Sequence, residues 1–256
     1  MRLLSILQVY IRVSFLQWMA WRSFAFTLVA NQAVTPLIGL AVWSTALPSE
    51  SRLPLYYFVL LVVRLMTVSY ENHTFSGRIY SGELADHLLR PHPVVLQPLG
   101  DNVSIRIWHM LIGAPLLLVV LLFLPAAEMK LWPVLAALPA LVLAAGIQFL
   151  FTFSLAMTAF WTERAHAVVH LGSTLIFLLG GVAVPISLMP GVLLPFVELL
   201  PFRYMMAFPA EIVADAMTLE QLGFGYVIQL VWLLIFGWVS RRLWRSGVRR
   251  YTVVGG

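Results

Sequence analysis

Residues 132–160 read WPVLAALPALVLAAGIQFLFTFSLAMTAF, with no ionisable side chain anywhere in the run. As a helix rising about 1.5 Å per residue, it is longer than the roughly 30 Å hydrocarbon core of a bilayer is thick. The rest of the chain matches it. Of 256 residues, 61% are hydrophobic and 11% charged, and the mean hydropathy is +0.91. The charges fall in short clusters between apolar runs. A soluble domain of this length could not hide so much apolar surface, so lipid is the solvent for much of it.

Working outward from 132–160, five more runs read as membrane spans: 24–46, 55–71, 107–125, 167–189 and 222–240. Residues 2–22 differ. Arg2, Ser5, Gln8 and Arg12 share one side at helical spacing, Leu3, Leu4, Leu7, Tyr10 and Ile11 take the other, and Trp18 and Trp21 follow. A charge at the centre of a span is expensive, so this pattern favours an interfacial elbow helix with an aromatic anchor. The segment does not read as a cleaved signal. Residues 190–209 are apolar but broken by Pro190, Pro195, Pro201 and Pro209. Proline removes a backbone donor and clashes with the preceding turn, so short helices dipping into one headgroup layer are expected there. The predicted fold is an all-α polytopic membrane protein in a single domain over 1–256. It comprises the elbow, six spans, a loop helix after the second span, and broken helices between the fifth and sixth.

Charge sets the orientation. One side carries Arg2, Arg12, Arg22, Arg78, Arg90, Arg106, Arg164, Arg241, Arg242, Arg245, Arg249 and Arg250. The other has Arg52, Lys130 and Arg203 against Glu50, Glu128, Glu198, Glu211, Asp215 and Glu220. The positive-inside rule places the basic side, with both termini, in the cytoplasm.

Several function classes are disfavoured. Lys130 is the only lysine and there is no G-x-x-x-x-G-K-[ST], so the chain binds no ATP through a P-loop. Without cysteine it has neither thiolate nucleophile nor Cys-ligated metal. No G-x-S-x-G occurs, and no catalytic residue or cofactor-binding residue is assigned. Basic residues at membrane boundaries do not make a nucleic-acid surface.

The loop from His73 to Arg106 is the principal candidate site. Within it, Gly82 precedes Glu83-Leu84-Ala85-Asp86-His87-Leu88-Leu89, which allows about two helical turns before Arg90 and Pro91. Leu84, Leu88 and Leu89 are expected on one face, with Glu83, Asp86, His87 and Arg90 as polar edges. Such a helix either docks a soluble partner or lies on the membrane surface. Arg64, inside the second span, needs an interior partner or a wet cavity, and Glu71 lies two turns further on. Asn31 and Gln148 are weaker candidates for lining a path. Gly180-Gly181 reads as a close-packing site in the fifth span. His166 and His170 share a helical face and with Glu163 could hold a metal, which leaves an intramembrane metal-dependent enzyme as an alternative. A non-transporting assembly subunit is another.

The layout resembles the permease subunit of type-2 ABC exporters. The residues that carry the resemblance are Ser81-Gly82-Glu83-Leu84 through Leu88-Leu89-Arg90-Pro91, Phe160-Trp161-Thr162, Leu200-Pro201-Phe202-Arg203-Tyr204 with Pro209-Ala210-Glu211, and Arg249-Arg250-Tyr251 with Gly255-Gly256. They look like a poorly characterised bacterial branch, over nearly the full chain. The resemblance implies a separate ATP-binding cassette subunit carrying ATP and Mg, a second permease of the same or a related kind, and a bacterial inner-membrane location. It implies that 82–91 is the coupling helix, with the elbow and Arg22 near the same interface, and that the first, second and fifth spans line the path. It does not name a substrate.

Overall fold

A computed structural model describes residues 2–123, 130–215 and 217–251. Glu128 of the acidic side and Gly255-Gly256 of the terminal motif lie outside the described residues. Twelve α-helices account for most of the described chain: α1 Arg2–Ala20, α2 Arg22–Ala46, α3 Arg52–Thr67, α4 Glu71–Tyr80, α5 Leu84–Leu88, α6 Leu96–Leu122, α7 Leu131–Ala156, α8 Ala165–Leu179, α9 Leu194–Val197, α10 Pro201–Met205, α11 Ala207–Ala214 and α12 Leu219–Val248. No strand is present among the described residues. Five stretches are long and apolar enough to cross a bilayer: Leu3–Ala20, Arg22–Ala46, Leu96–Leu122, Leu131–Phe160 and Leu219–Val248. The protein is a multi-pass, all-α membrane protein.

Two features differ from the sequence reading. The first helix is itself among the five by length and composition, although Arg12 interrupts it. It lies along α6 with one edge: the Trp108 indole donates to the Phe15 carbonyl at 3.0 Å, Phe15 stacks on Trp108, and Ser14 donates to Asp101. Gly100 of α6 makes this approach possible, because a Cβ there would sit 2.6 Å from the Tyr10 Cβ. Conversely, the second and fifth predicted spans are short helices of 16 and 15 residues. The predicted 167–189 helix stops at Leu179. Gly181 takes a left-handed conformation (φ +79°) that ends the helix, and its carbonyl accepts a 2.7 Å hydrogen bond from Tyr56 of α3. Gly180-Gly181 therefore ends the helix, and it also allows the expected close packing, since a Cβ at Gly181 would sit 2.7 Å from the Ala207 Cβ.

α3 is the central element. Leu53, Leu55, Tyr56, Tyr57, Leu60, Leu61, Val63 and Leu65 are all buried, because α2, α6, α7 and α11 surround it. α9–α11 fold back between α8 and α12 and pack on α3 and α7 through Tyr204, Met205, Phe208 and Ile212. Of the prolines expected to break 190–209, Pro190 lies outside any helix and Pro195 and Pro201 sit in the first turns of α9 and α10, whereas Pro209 is accommodated in the first turn of α11 without breaking it. α12 starts with a capping box, in which the Thr218 hydroxyl accepts from the Gln221 amide and the Gln221 side chain accepts from the Thr218 amide.

Candidate functional site

The break between α3 and α4 builds the site. α3 ends at Thr67, and its last carbonyls have no helical partner. Arg106 of α6 supplies one: its guanidinium donates to the carbonyls of Val68 (3.1 Å), Thr67 (3.3 Å) and, on α7, Ala145 (2.9 Å). Asn102, one turn earlier, donates to the Val68 carbonyl, the Ser69 hydroxyl and Glu71 Oε1, the last at 2.6 Å. So α6 clamps the joint from which α4 sets off in a new direction. Arg106 is a positional fastener. Its charge count placed it among loop arginines, and the sequence carries no signal for its three-helix bridge.

α4 then carries the chain to α5. Gly82 turns it with φ +83°, a backbone conformation that a side chain disfavours. α5 is shorter than expected, Leu84–Leu88 rather than two full turns. Its three leucines do not share a face. Leu84 is fully buried among Phe75, Ile79, Phe153 and Met157, and it anchors the segment. Leu89 is 86% exposed and Leu88 36%. Glu83, Asp86, Arg90 and Pro91 are exposed beside them, and His87 is half-buried. Leucines 84 and 88 are four apart, but the helix is a single turn and a bit, so Leu88 sits at its rim.

Two other elements brace this surface. Arg90 donates to the Tyr10 hydroxyl of α1 at 3.1 Å, and that hydroxyl also meets His92 at 3.1 Å. The Gln97 carboxamide of α6, oriented to satisfy both neighbours, donates to the His87 ring at 2.9 Å and accepts from Arg78 at 3.1 Å. Arg78 pairs with Asp101 at 2.9 Å. Burial, with the guanidiniums of Arg90 and Arg78, pushes the His87 pKa below the ordinary histidine value, so the ring is a neutral acceptor at pH 7. Behind α5, the Tyr80 hydroxyl donates to the Thr162 carbonyl at 2.8 Å, which ties α4 to the Phe160-Trp161-Thr162 turn. Phe160 in turn packs edge-on against Trp244 and Tyr251 at the end of α12. Three stretches far apart in sequence, 80–92, 160–162 and 244–251, thus meet at one end of the molecule.

The remaining sequence candidates fall elsewhere. Arg64 finds Gln32 of α2, donating to its Oε1 at 2.8 and 3.2 Å, and Gln32 donates to the Tyr70 hydroxyl. Glu71 is not its partner, because the break after Thr67 turns Glu71 toward α6. Among the described residues no carboxylate lies within ion-pair distance of Arg64. Gln148 is buried inside α7 with its Oε1 unpartnered. Asn31 is exposed on α2. His166 stacks on His73 of α4, ring centroids 5.7 Å apart. No group of three or more His, Asp or Glu able to hold a metal occurs among the described residues, so His166, His170 and Glu163 do not form the ligand set of the enzyme alternative.

The opposite end holds a second polar feature. A cavity of about 600 Å³ opens between α3, α9–α11 and α12, lined by Glu50, Arg52, Glu198, Arg203, Glu211 and Asp215 among others. Arg203 and Glu211 form an ion pair at 2.8 Å. Burial raises the Asp215 pKa, against the pull of Arg52 and Arg203.

The chain is a polytopic helical membrane protein with short broken helices before its last long helix and a braced turn at α5. A family model described as "ABC-2 family transporter protein" matches residues 49–255, and the chain belongs to that family. It is a membrane permease component of an ABC transporter. No curated protein matches it.

Proposed function

We propose that this chain forms half of the translocation path of an ATP-driven exporter and receives work from a separate ATPase through Gly82–Arg90. The observation that carries the reading is the exposed Leu88-Leu89 pair, flanked by Glu83, Asp86 and Arg90, on a turn anchored by Leu84 and braced by α1, α4 and α6. An apolar pair ringed by charges suits a groove on a soluble protein. A rigid mounting suits a lever, since displacement at α5 passes through α4 to the clamped joint and on to α3.

In this reading the end bearing α5 faces the cytoplasm of a bacterium, with both termini, and α3 and α8 complete six crossings in the inner membrane. ATP and Mg belong to the partner. A second permease, identical or related, covers the face of α2 that exposes Asn31 with Thr27, Val34 and Ile38. An amide left toward lipid would cost free energy that a protein or wet path avoids.

The test is purification from native membranes in mild detergent. A P-loop ATPase is expected with the wild-type chain and is expected to be lost from Leu89→Asp, which changes an exposed residue and leaves membrane insertion intact. Undiminished ATPase recovery with Leu89→Asp overturns the assignment of α5.

A further inference from the structure

Glu71 and Asn102 are among the most buried polar residues in the protein, 2% and 1% exposed. Asn102 Nδ2 donates to Glu71 Oε1 at 2.6 Å. The same two side chains leave one oxygen each without a partner, Glu71 Oε2 and Asn102 Oδ1. Both are acceptors if Glu71 is ionised. Two buried acceptors without a donor between them are costly, about 1–3 kcal/mol apiece. Both residues border a cavity of about 110 Å³ between α1, α4 and α6.

We propose that Glu71 and Asn102 together bind one proton, forming a cyclic carboxylic acid–carboxamide pair at the α3–α4 joint. The proton sits on Glu71 Oε2 and is donated to Asn102 Oδ1, while the existing Nδ2–H bond to Oε1 closes the ring. One proton then satisfies both orphaned oxygens. No other bond changes, and the proton comes from water.

The surroundings fit a neutral Glu71. Burial pushes its carboxyl pKa up to about 7, and the Asp101 carboxylate acts in the same direction, while its own backbone N–H, Arg106 and the Asn102 hydrogen bond hold it down. Neither guanidinium is free to pair with it: Arg106 is spread over three carbonyls and Ser69, and Arg78 is paired with Asp101. α1 contributes the uncharged Ser14, Gln17 and Trp18 to the cavity, and Tyr70 precedes Glu71. α7 carries no titratable residue. α8 brings His166 and His170 to His73, whose pKa burial and those two rings lower. Protonated, the pair ties the first turn of α4 to α6. Ionised, it leaves a buried charge at the joint.

Folded Glu71 keeps its proton to about pH 7, whereas the unfolded side chain releases it near 4.5. The stability this contributes is complete below the lower value and is lost as pH rises through the upper one. Glu71→Gln mimics the protonated acid, since its amide can donate to Asn102 Oδ1 at every pH. The experiment is thermal unfolding of wild type and Glu71→Gln in lipid nanodiscs between about pH 5 and about pH 8.5, a window spanning both states. The two midpoints should coincide at the acid end, and wild type should fall several degrees below the variant at the alkaline end. Infrared spectra at pH 6 supply the second readout. Wild type should show a protonated-carboxyl carbonyl band that Glu71→Gln removes and that Asn102→Leu, which keeps Glu71 but not its amide partner, moves to higher wavenumber. A gap between the curves that does not change with pH, or no band assignable to Glu71, overturns the proposal and leaves an ionised Glu71 bridged by water. Neither measurement needs an ATPase partner, so failure here is distinct from failure of the exporter reading.

Discussion

Arg203 and Glu211 are eight residues apart in sequence and paired at 2.8 Å, with side chains 16% and 5% exposed. Removing one partner strands a buried charge. Arg203→Ala should lower stability by about 3–5 kcal/mol, read as a fall in the thermal midpoint in detergent, while replacing both with apolar residues of similar size should restore much of the loss. Leu84 and Leu89 make a contrasting pair. Leu84→Asp puts a carboxylate among Phe75, Phe153 and Met157 and should reduce the yield of folded protein. Leu89→Asp should leave the midpoint unchanged and weaken only partner binding. At this scale the sequence told part of the story. It pointed to Gly82–Arg90, and to Arg64 as a buried cation in need of a partner. It could not tell Leu84 from Leu88, because both fit a helical face and only the position of Phe75 and Met157 decides which is inside. It placed Glu71 two turns beyond Arg64 on the same side, and the backbone break at Val68–Tyr70 turned it to Asn102.

Helices here are delimited by local chemistry and positioned by contacts. Thr218→Ala removes the hydroxyl of the α12 capping box and should cost about 1 kcal/mol, measurable as a midpoint shift of a few degrees. Gly100→Leu should push α1 off α6, since even a Cβ there collides with Tyr10. Its signature is faster proteolysis within residues 2–21 with the remainder intact. Prolines 195 and 201 were readable as breaks in an apolar run, and the structure seats them in first turns, where proline's missing donor is harmless. The end of α8 was not readable from hydropathy: residues 180–189 are as apolar as what precedes them, and the stop depends on Gly181 adopting φ +79° with Tyr56 holding its carbonyl.

For the molecule as a whole, orientation is the next thing to establish, and the absence of cysteine makes it accessible. Single substitutions Leu89→Cys and Glu50→Cys should label with a membrane-impermeant maleimide from opposite sides of the membrane, Leu89→Cys from the cytoplasmic face only. Labelling of both from one face would overturn the topology. Substitution of Arg106 by Met should weaken the coupling between the α5 platform and the spans. ATP hydrolysis by the purified complex is expected to persist while transport falls, because the carbonyls of Thr67, Val68 and Ala145 lose their common donor.

The sequence by itself determined that the protein is helical, membrane-embedded, with its charges clustered between apolar runs, and interrupted by prolines before its last long helix. These follow from transfer free energies and proline geometry, which act residue by residue and need no neighbour. Tertiary structure decided what the polar residues do. Arg106 became a clamp, Arg64 a partner of Gln32, Arg203 a partner of Glu211, and Glu71 a partner of Asn102. In an apolar medium a buried polar group takes whichever partner the packing brings within hydrogen-bond reach. That choice is fixed by helix positions set elsewhere in the chain.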